Sequence, residues 1–337
     1  MAGIIFSEGS GLNDSIYGKS QEPIKMFIEK KAEAFEAEST LPNLFNMGTS
    51  THFGEKITGM TAMDGFKPVG ENGAYPVDGM QEGYSKFLEH MTWKNSFSIS
   101  REIIEDGKLM DLKGRPQAFV SGYYRTRERF GAAILGNAMA KKGAMSFAGR
   151  SFDLKGADGS NLFATNHPSI VGKATQSNLF ADAFTEDNLA KLEEKMQNFK
   201  GDNGELLGVV PDTIVIPNDA AMKKAVFSVI GADKDPETAN NGYNFLFGRW
   251  NVIVNPYLNE FMDSTTYASG ATPWLLMSSQ YNTDYGTLVW FDRTKLEVRS
   301  EIAENDANVW KGYARFIAGC NDWRGIAVAG VAGGASL

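Results

Sequence analysis

The chain has 337 residues, of which 42% are hydrophobic and 22% charged, which is typical of a folded protein with a substantial core. Its net charge of −8 and isoelectric point near 5.1 argue against a protein that binds nucleic acid through a basic face, because such binding depends on Lys and Arg. The single cysteine, Cys320, excludes an intramolecular disulfide and a thiolate metal cluster. The sequence has neither a secretory signal pattern nor a run of about 18 apolar residues, so we expect a soluble, unsecreted protein.

The N-terminal part is predicted to be a flexible arm followed by a helix. Residues 1–22 are polar and rich in Gly and Ser, a composition that buries too little apolar surface to fold alone. A helical pattern opens at Pro23 and ends near Pro42. Its apolar positions are Met26, Phe27, Phe35 and Leu41.

Residues 51–91 are predicted to form a long β-hairpin or extended loop. Glycines recur through this stretch and separate short apolar segments. An isolated two-stranded ribbon is only marginally stable in water, so the stretch needs contacts with the rest of the protein or with a partner. A returning strand at 92–100 follows, and then a short helix at 101–108 with Ser100 as its cap.

A long helix over residues 116–142 is the element around which the chain is organised. Pro116 suits a first helical position, because the N–H that it lacks would have no partner there, and Gly143 suits the end. At about 1.5 Å per residue such a helix is about 40 Å long, which is enough to serve as a spine. Its apolar stripe consists of Phe119, Val120, Tyr123, Tyr124, Phe130 and Ile134.

The middle of the chain is predicted to be mixed helix and strand. Residues 151–177 form a loop with turns at Asp158 and His167, and a helix then begins at its cap Thr185 and ends at Gly201. Asn218 is predicted to cap the next helix. Further strands are predicted at 212–217, 244–248, 250–255, 274–278, 287–291, 295–302, 309–318 and 323–328, with an exposed loop at 231–243.

The residues that could carry chemistry form no catalytic or metal-binding pattern. The three histidines are not spaced as zinc ligands, and the sequence has no GxSxG elbow and no glycine-rich phosphate loop. His167, which precedes a proline, is interpreted as a turn residue bonded to the backbone. We interpret Asp153, Asp158 and Asn161 as polar turn residues, and the alternative is that they are calcium ligands. A solvated or interface face is favoured over a nucleic-acid contact for Arg125, Arg127 and Arg129.

Five stretches, taken in order, carry a resemblance to a known family. They are Phe97-Ser-Ile-Ser-Arg-Glu-Ile-Ile-Glu-Asp106, Gly156-Ala-Asp-Gly-Ser-Asn-Leu-Phe-Ala-Thr-Asn-His-Pro168, Pro211-Asp-Thr-Ile-Val-Ile-Pro217, Trp310-Lys-Gly-Tyr-Ala-Arg315 and Asn321-Asp-Trp-Arg-Gly325. With the order of the parts, they make the chain similar to the major capsid protein of tailed bacteriophages, whose fold is shared with encapsulin shells and herpesvirus capsid floors. Within that family it most resembles the Mu-like major head subunits.

The resemblance implies an α+β fold with a defined set of parts. Residues 1–50 would be an N-terminal arm and 51–97 an extended hairpin loop that lies over the adjacent subunit. Residues 98–205 and 286–337 would form a peripheral domain, with 116–142 as its spine helix and the strands from 287 to 328 completing its sheet. The axial domain would be 206–285, with the loop 232–243 as a tip near the fivefold and sixfold centres. The intersubunit contacts expected on this basis are Phe66, Tyr75, Val77, Met80, Asp235 and Asn240.

The function that the resemblance implies is self-assembly, as hexamers and pentamers, into the icosahedral head of a tailed phage that encloses double-stranded DNA without sequence-specific binding. Expected partners are further copies, a portal and, as a further candidate, a decoration protein. Because the arm starts at Met1 with no room for a scaffolding segment, a separate scaffold is expected, or none. No enzymatic activity, cofactor, metal or membrane is expected. The place of action would be the virion, and the host cytoplasm during assembly. No partners can be assigned to the Lys–Asn cross-links that some relatives form.

Two alternatives belong to other functional classes. An encapsulin-like compartment shares the fold, so sequence separates it poorly from a phage head. A hydrolytic enzyme with an unrecognised site is the second alternative, and His167 would be its first candidate.

Overall fold

The computed structural model describes residues 21–60, 66–77, 82–106, 109–169, 175–202, 204–231, 244 and 246–337. Its helices are α1 Gln21–Glu38, α2 Leu41–Leu44, α3 Arg101–Glu105, α4 Leu109–Met139, α5 Glu186–Gln197, α6 Ala220–Ile230, α7 Leu258–Phe261 and α8 Ser279–Tyr285, with single 3-10 turns at Ser264–Thr266 and Trp323–Gly325. Its strands are β1 Asn46–Thr49, β2 Gly54–Met60, β3 Glu82–Glu89, β4 Met91–Ile99, β5 Ala144–Phe147, β6 Arg150–Asp153, β7 Thr213–Pro217, β8 Asn251–Asn255, β9 Trp274–Met277, β10 Leu288–Ile302, β11 Asn308–Cys320 and β12 Ile326–Ala329. The α+β class is as predicted.

The first sheet has the order β1-β10-β11-β4 and packs against the long helix α4. Strand β10 is continuous where the sequence predicted two strands, because bulges between Asp292 and Glu297 absorb the break in alternation. Aromatic rings fill the space between helix and sheet. Trp93 stacks on Phe316 with ring centroids 4.8 Å apart, and Phe130 of the helix meets Trp93 edge-on at 5.5 Å.

The long helix begins seven residues earlier than predicted and ends before Gly143. Pro116 therefore lies inside the helix, where it leaves the carbonyl of residue 112 without its usual N–H donor. The C-terminus closes through a Schellman motif around Lys141, whose φ is +57°. The N–H groups of Lys141 and Lys142 donate to the carbonyls of Ala138 (2.9 Å) and Asn137 (3.1 Å), respectively. A lysine thus occupies the left-handed position for which glycine was expected.

The N-terminal helix α1 packs on the outer part of α4. Its buried face is formed by Ile28 with the partly buried Ala32 and Phe35, at helical spacing. Phe35 stacks on Tyr124 of the long helix at 5.3 Å. The predicted apolar position Met26 is instead exposed to solvent.

The second sheet has the order β12-β9-β7-β8 and is almost completely buried along β7, β9 and β12. Strand β12 was expected to complete the first sheet, but it pairs antiparallel with β9. The 3-10 turn at Trp323–Gly325 separates it from β11, so the chain can cross from one sheet to the other.

Local helix and strand signals were partly correct in this region. Thr185 caps α5 as predicted, since its hydroxyl accepts the N–H of Asn188 at 3.2 Å. The cap of α6 is Asp219 rather than Asn218, because the Asp219 carboxylate accepts the N–H of Met222 at 2.9 Å. Residues 246–248 form a turn where a strand was predicted. Ser100 precedes α3, but its side chain accepts no capping hydrogen bond from that helix.

A short hairpin that the sequence did not reveal, β5–β6, packs under the long helix. Its turn residues Ala148 and Gly149 both have positive φ, +49° and +76°. Two positive values are typical of the type I′ turn, which usually carries Asn-Gly. Among the helices that the structure describes, none is both long and apolar enough to cross a lipid bilayer.

Candidate intersubunit surface

The outer end of the predicted hairpin presents apolar side chains to solvent. Strands β2 and β3 pair antiparallel, and beyond them the described residues 66–77 are all exposed, with a turn closed by the Gly73 N–H on the Gly70 carbonyl at 2.8 Å. The side chains of Phe66, Tyr75 and Val77 are almost completely exposed to solvent. Exposed apolar groups on this scale mark an interaction surface.

The other three predicted contact residues are Met80, Asp235 and Asn240, and they lie outside the described residues. So does the predicted tip loop 232–243. Their role stays a prediction. The structure thus bears only on the exposure of Phe66, Tyr75 and Val77.

The root of the hairpin is fixed to the body of the protein. Lys86 is buried, and its ammonium donates to the carbonyls of Asp153 (3.4 Å) and Lys155 and pairs with the Asp153 carboxylate at 3.3 Å. Leu88 packs against Gly319, where a Cβ would lie 2.8 Å from the leucine side chain. The hairpin is therefore anchored at one end while its other end is exposed.

His90 lies at the point where the hairpin meets the first sheet. Its side chain is buried, and neither ring nitrogen has a hydrogen-bond partner within the described parts of the chain. Burial lowers the pKa of His90 below its usual value, and the charges of Arg315 and Arg293 lower it further, against the opposing carboxylates of Glu55 and Asp292. The imidazole is accordingly held neutral.

A buried ion pair joins the long helix to the first sheet. The guanidinium of Arg127 donates to both oxygens of Asp292 at 2.8 and 2.9 Å and lies 4.8 Å from the Trp290 ring centroid. Burial alone would lower the pKa of Arg127, but the hydrogen bonds to Asp292 raise that pKa above its usual value. The predicted solvated face is therefore wrong for Arg127, although Arg125 is exposed and Arg129 pairs with Glu260 near the surface.

His167 is a structural residue, but its ring is held by side chains rather than by backbone. Its Nδ1 lies 2.7 Å from Asp158 and its Nε2 lies 3.0 Å from the Asn178 side-chain oxygen, while the ring stacks on Trp323 at 4.3 Å. Burial would raise the pKa of Asp158, but the hydrogen bond and charge of His167 lower it overall. Because Asn178 occupies the second nitrogen, the pair is not arranged as a general base for a nucleophile.

Sequence reasoning missed one buried ion pair and two exposed aromatic side chains. The Arg127–Asp292 pair joins residues 165 positions apart, and no local pattern predicts such a contact. The exposed Phe87 of β3 could have been found from strand alternation once the register was known, and the exposed Phe53 directly precedes β2. Over the part of the chain that is described, no cluster of three or more His, Cys, Asp or Glu side chains could hold a metal ion.

Comparison with known proteins gives a family match. The profile of a family described as phage capsid protein matches residues 84–329. No curated protein matches the chain at a significant level.

Several solved structures align with much of this chain at low sequence identity and at TM-scores below 0.5. The virus-like particle from Pyrococcus furiosus is 10% identical, with coverage of 91% of this chain and 98% of that chain and a TM-score of 0.47. The structure from Gordonia phage Cozz is 12% identical, with coverage of 87% of this chain and 86% of that chain and a TM-score of 0.48. The capsid of bacteriophage JBD30 decorated with minor capsid protein trimers is 17% identical, with coverage of 64% of this chain and 89% of that chain and a TM-score of 0.44.

A protein that has an anchored hairpin with a solvent-exposed apolar end fits the class of structural proteins that associate with other subunits. The chain is a member of the phage capsid protein family, because the family profile covers well over half of its length. It is a major capsid protein, a non-enzymatic subunit that assembles with its own copies into the capsid of the virion. The family match favours the phage capsid over the encapsulin alternative and removes the hydrolase alternative. The Mu-like subgroup stays a prediction.

Proposed function

We propose that the chain assembles as pentamers and hexamers into an icosahedral phage head that encloses double-stranded DNA, with the hairpin 51–97 lying over the adjacent subunit. The observation that carries this proposal is the exposure of Phe66, Tyr75 and Val77 at the end of a hairpin whose root is fixed. Burying one such side chain contributes about 1.5–3 kcal/mol. Because each subunit has several neighbours in a shell, modest contacts of this kind add up to a stable assembly.

The division of labour within the subunit is part of the same proposal. Residues 1–50 act as an arm, 98–205 and 286–337 as the peripheral domain, and 206–285 as the axial domain, with β12 lending a strand to the axial sheet. The loop 232–243, with Asp235 and Asn240, and Met80 of the hairpin complete the intersubunit contacts.

The net charge of −8 per subunit fits a container for DNA rather than a DNA-binding protein. A negative wall repels the phosphate backbone, so the packaged genome can slide along it without adhering. A separate scaffold, a portal and a decoration protein are the further partners of the proposal, and assembly takes place in the host cytoplasm.

The test is to compare the wild-type chain with a variant in which Phe66, Tyr75 and Val77 are all replaced by serine. These side chains are almost fully exposed, so the substitutions should leave the subunit folded. We expect closed shells or ring-shaped oligomers of the wild type in electron microscopy and size-exclusion chromatography, and only unassembled subunits of the variant. Shells that form equally well from the variant would contradict the role of the hairpin. A wild type that stays monomeric at high concentration, with a scaffold present, would contradict the proposed function itself.

A further inference from the structure

A slot of about 150 Å³ opens between the long helix α4 and the face of the first sheet that packs against it, beside the aromatic rings described above. Its walls are aromatic and include Trp93, Phe119, Tyr123 and Phe316. Trp93 and Tyr123 are half-buried, so the slot can be reached from outside. An apolar cavity of about this volume accepts a ring the size of benzene.

The slot exists because two of its lining residues are glycines. A Cβ at Gly312 would lie 2.3 Å from the Phe119 ring, so only glycine lets that ring form one wall. On the helix, Gly122 faces the open space. Apart from its chain neighbours and the nearby helix backbone, no atom of the described residues lies within 4 Å of a Cβ added there. A glycine in a helix interior costs about 1 kcal/mol relative to alanine, and local helix stability does not explain its presence.

We propose that the slot receives the phenyl ring of Phe66 from the hairpin of a neighbouring copy. This proposal rests on the proposed function and names the surface on which the hairpin docks. Phe66 is the most exposed large apolar side chain of the described residues, and its ring matches the volume of the slot. A second copy is the occupant because the chain assembles with itself, and the ring is fully exposed in the single subunit.

The polar groups along the slot favour Phe66 over Tyr75. The hydroxyl of Thr126 already donates to the Gly122 carbonyl at 2.8 Å, and the hydroxyl of Tyr123 already accepts a hydrogen bond from Arg127 at 3.2 Å. Lys94 and Asn95 are the other polar residues along the slot. A phenol would have to keep a hydrogen bond with one of these few groups, because an unsatisfied buried hydroxyl is unfavourable. A phenyl ring brings no such group.

The first experiment fills the slot from within by Gly122→Leu, with Gly114→Leu as the matched control. Gly114 lies in the same helix, a Cβ there also meets open space, and it does not line the slot. Both changes should leave the subunit folded, since leucine favours helix over glycine. We expect Gly122→Leu to raise the concentration needed for shell assembly about tenfold or more, while Gly114→Leu assembles as the wild type does.

The second experiment is a disulfide between copies, formed under mild oxidation in a Lys67→Cys/Asn95→Cys double variant. These positions lie next to Phe66 and along the slot, and the variant keeps both the Phe66 ring and Gly122. The native Cys320 is buried and does not compete. We expect covalent ladders of subunits on a non-reducing gel, whereas the Lys67→Cys/Gly114→Cys pair should give none, because Gly114 does not line the slot. If the ladder is absent, or if Gly122→Leu assembles as the wild type does, the proposal that Phe66 docks in the slot is wrong. If the triple serine variant at the same time still fails to assemble, the proposed function stands and only the docking surface is wrong.

Discussion

Arg127 is the side chain that couples the long helix most directly to the first sheet. Its ion pair with Asp292 is almost fully buried, and the same carboxylate accepts the Trp290 indole N–H at 3.0 Å. A buried pair adds little relative to apolar side chains of the same size, but removing one partner leaves an uncompensated charge. The pair therefore fixes how the helix sits on the sheet.

Replacing Arg127 by methionine should lower the free energy of unfolding by about 3–5 kcal/mol, because Asp292 would stay buried without a counter-charge. Arg129→Met is the matched control, since its Glu260 partner lies at the surface and such pairs contribute about 1 kcal/mol or less. Urea unfolding of the unassembled subunit, followed by tryptophan fluorescence, measures both. Equal losses in the two variants would show that the buried pair has no special role.

His90 should make the stability of the subunit depend on pH. Its pKa is lowered in the folded state, so above the ordinary value near 6.5 the group is neutral in both states and contributes nothing. Below that value the unfolded chain binds a proton that the folded chain excludes, and stability falls, by less than about 1.4 kcal/mol per pH unit, until the folded pKa is reached.

A His90→Phe variant should have a shallower loss of stability between about pH 7 and pH 5 than the wild type. Urea midpoints measured across that range give the comparison. His52→Gln is the control, because His52 is exposed. An unchanged slope in His90→Phe would mean that the imidazole is not the group responsible.

At the scale of single elements, the β5–β6 hairpin illustrates why local signals miss structure. Its turn residues are Ala148 and Gly149, whereas an Asn-Gly pair would have predicted a hairpin. Tertiary packing of Met145, Phe147 and Phe152 beneath the long helix stabilises it instead. The same cause explains Lys141 at the end of α4, whose ammonium donates to the Ala332 carbonyl at 2.7 Å and holds the left-handed turn.

An Ala148→Asn substitution should raise the free energy of unfolding by about 0.5–1 kcal/mol, because a left-handed conformation costs an alanine about 1–2 kcal/mol and asparagine less. Ala148→Val should do the opposite, since a β-branched side chain tolerates positive φ poorly. Thermal unfolding of the unassembled subunit would measure both shifts. A lower stability for Ala148→Asn would contradict the assigned turn conformation.

Elements with strong local chemistry were predictable, and those that depend on distant partners were not. The cap at Thr185, the strand Thr213–Pro217 and the antiparallel pairing of β2 with β3 each follow from turn residues, caps or alternation. The start of α4 was placed too late because Pro116 was taken for a first position, although packing of the buried Pro116 keeps it inside the helix.

At the scale of the whole molecule, two sheets share one continuous core, and the chain crosses between them more than once. Strand β12 joins the second sheet although β10 and β11 belong to the first, so no cut in the sequence separates the sheets. This pairing depends on contacts far apart in the chain, which no periodicity encodes. The candidate surface was more accessible to sequence reasoning, because glycine-broken apolar segments without a core of their own require a partner.

The hairpin contains a second glycine feature between its fixed root and its exposed end. Gly59 and Gly83 face each other at a register shift, and a Cβ at Gly83 would lie 2.8 Å from the Gly59 carbonyl oxygen. Two glycines at this level leave the backbone freer to change its conformation there than elsewhere in the ribbon. A shell built from both pentamers and hexamers, as proposed above, requires one sequence to meet its neighbours at more than one angle. We expect this pair of glycines to take up the difference in curvature, so that the body of the subunit keeps one shape throughout the shell.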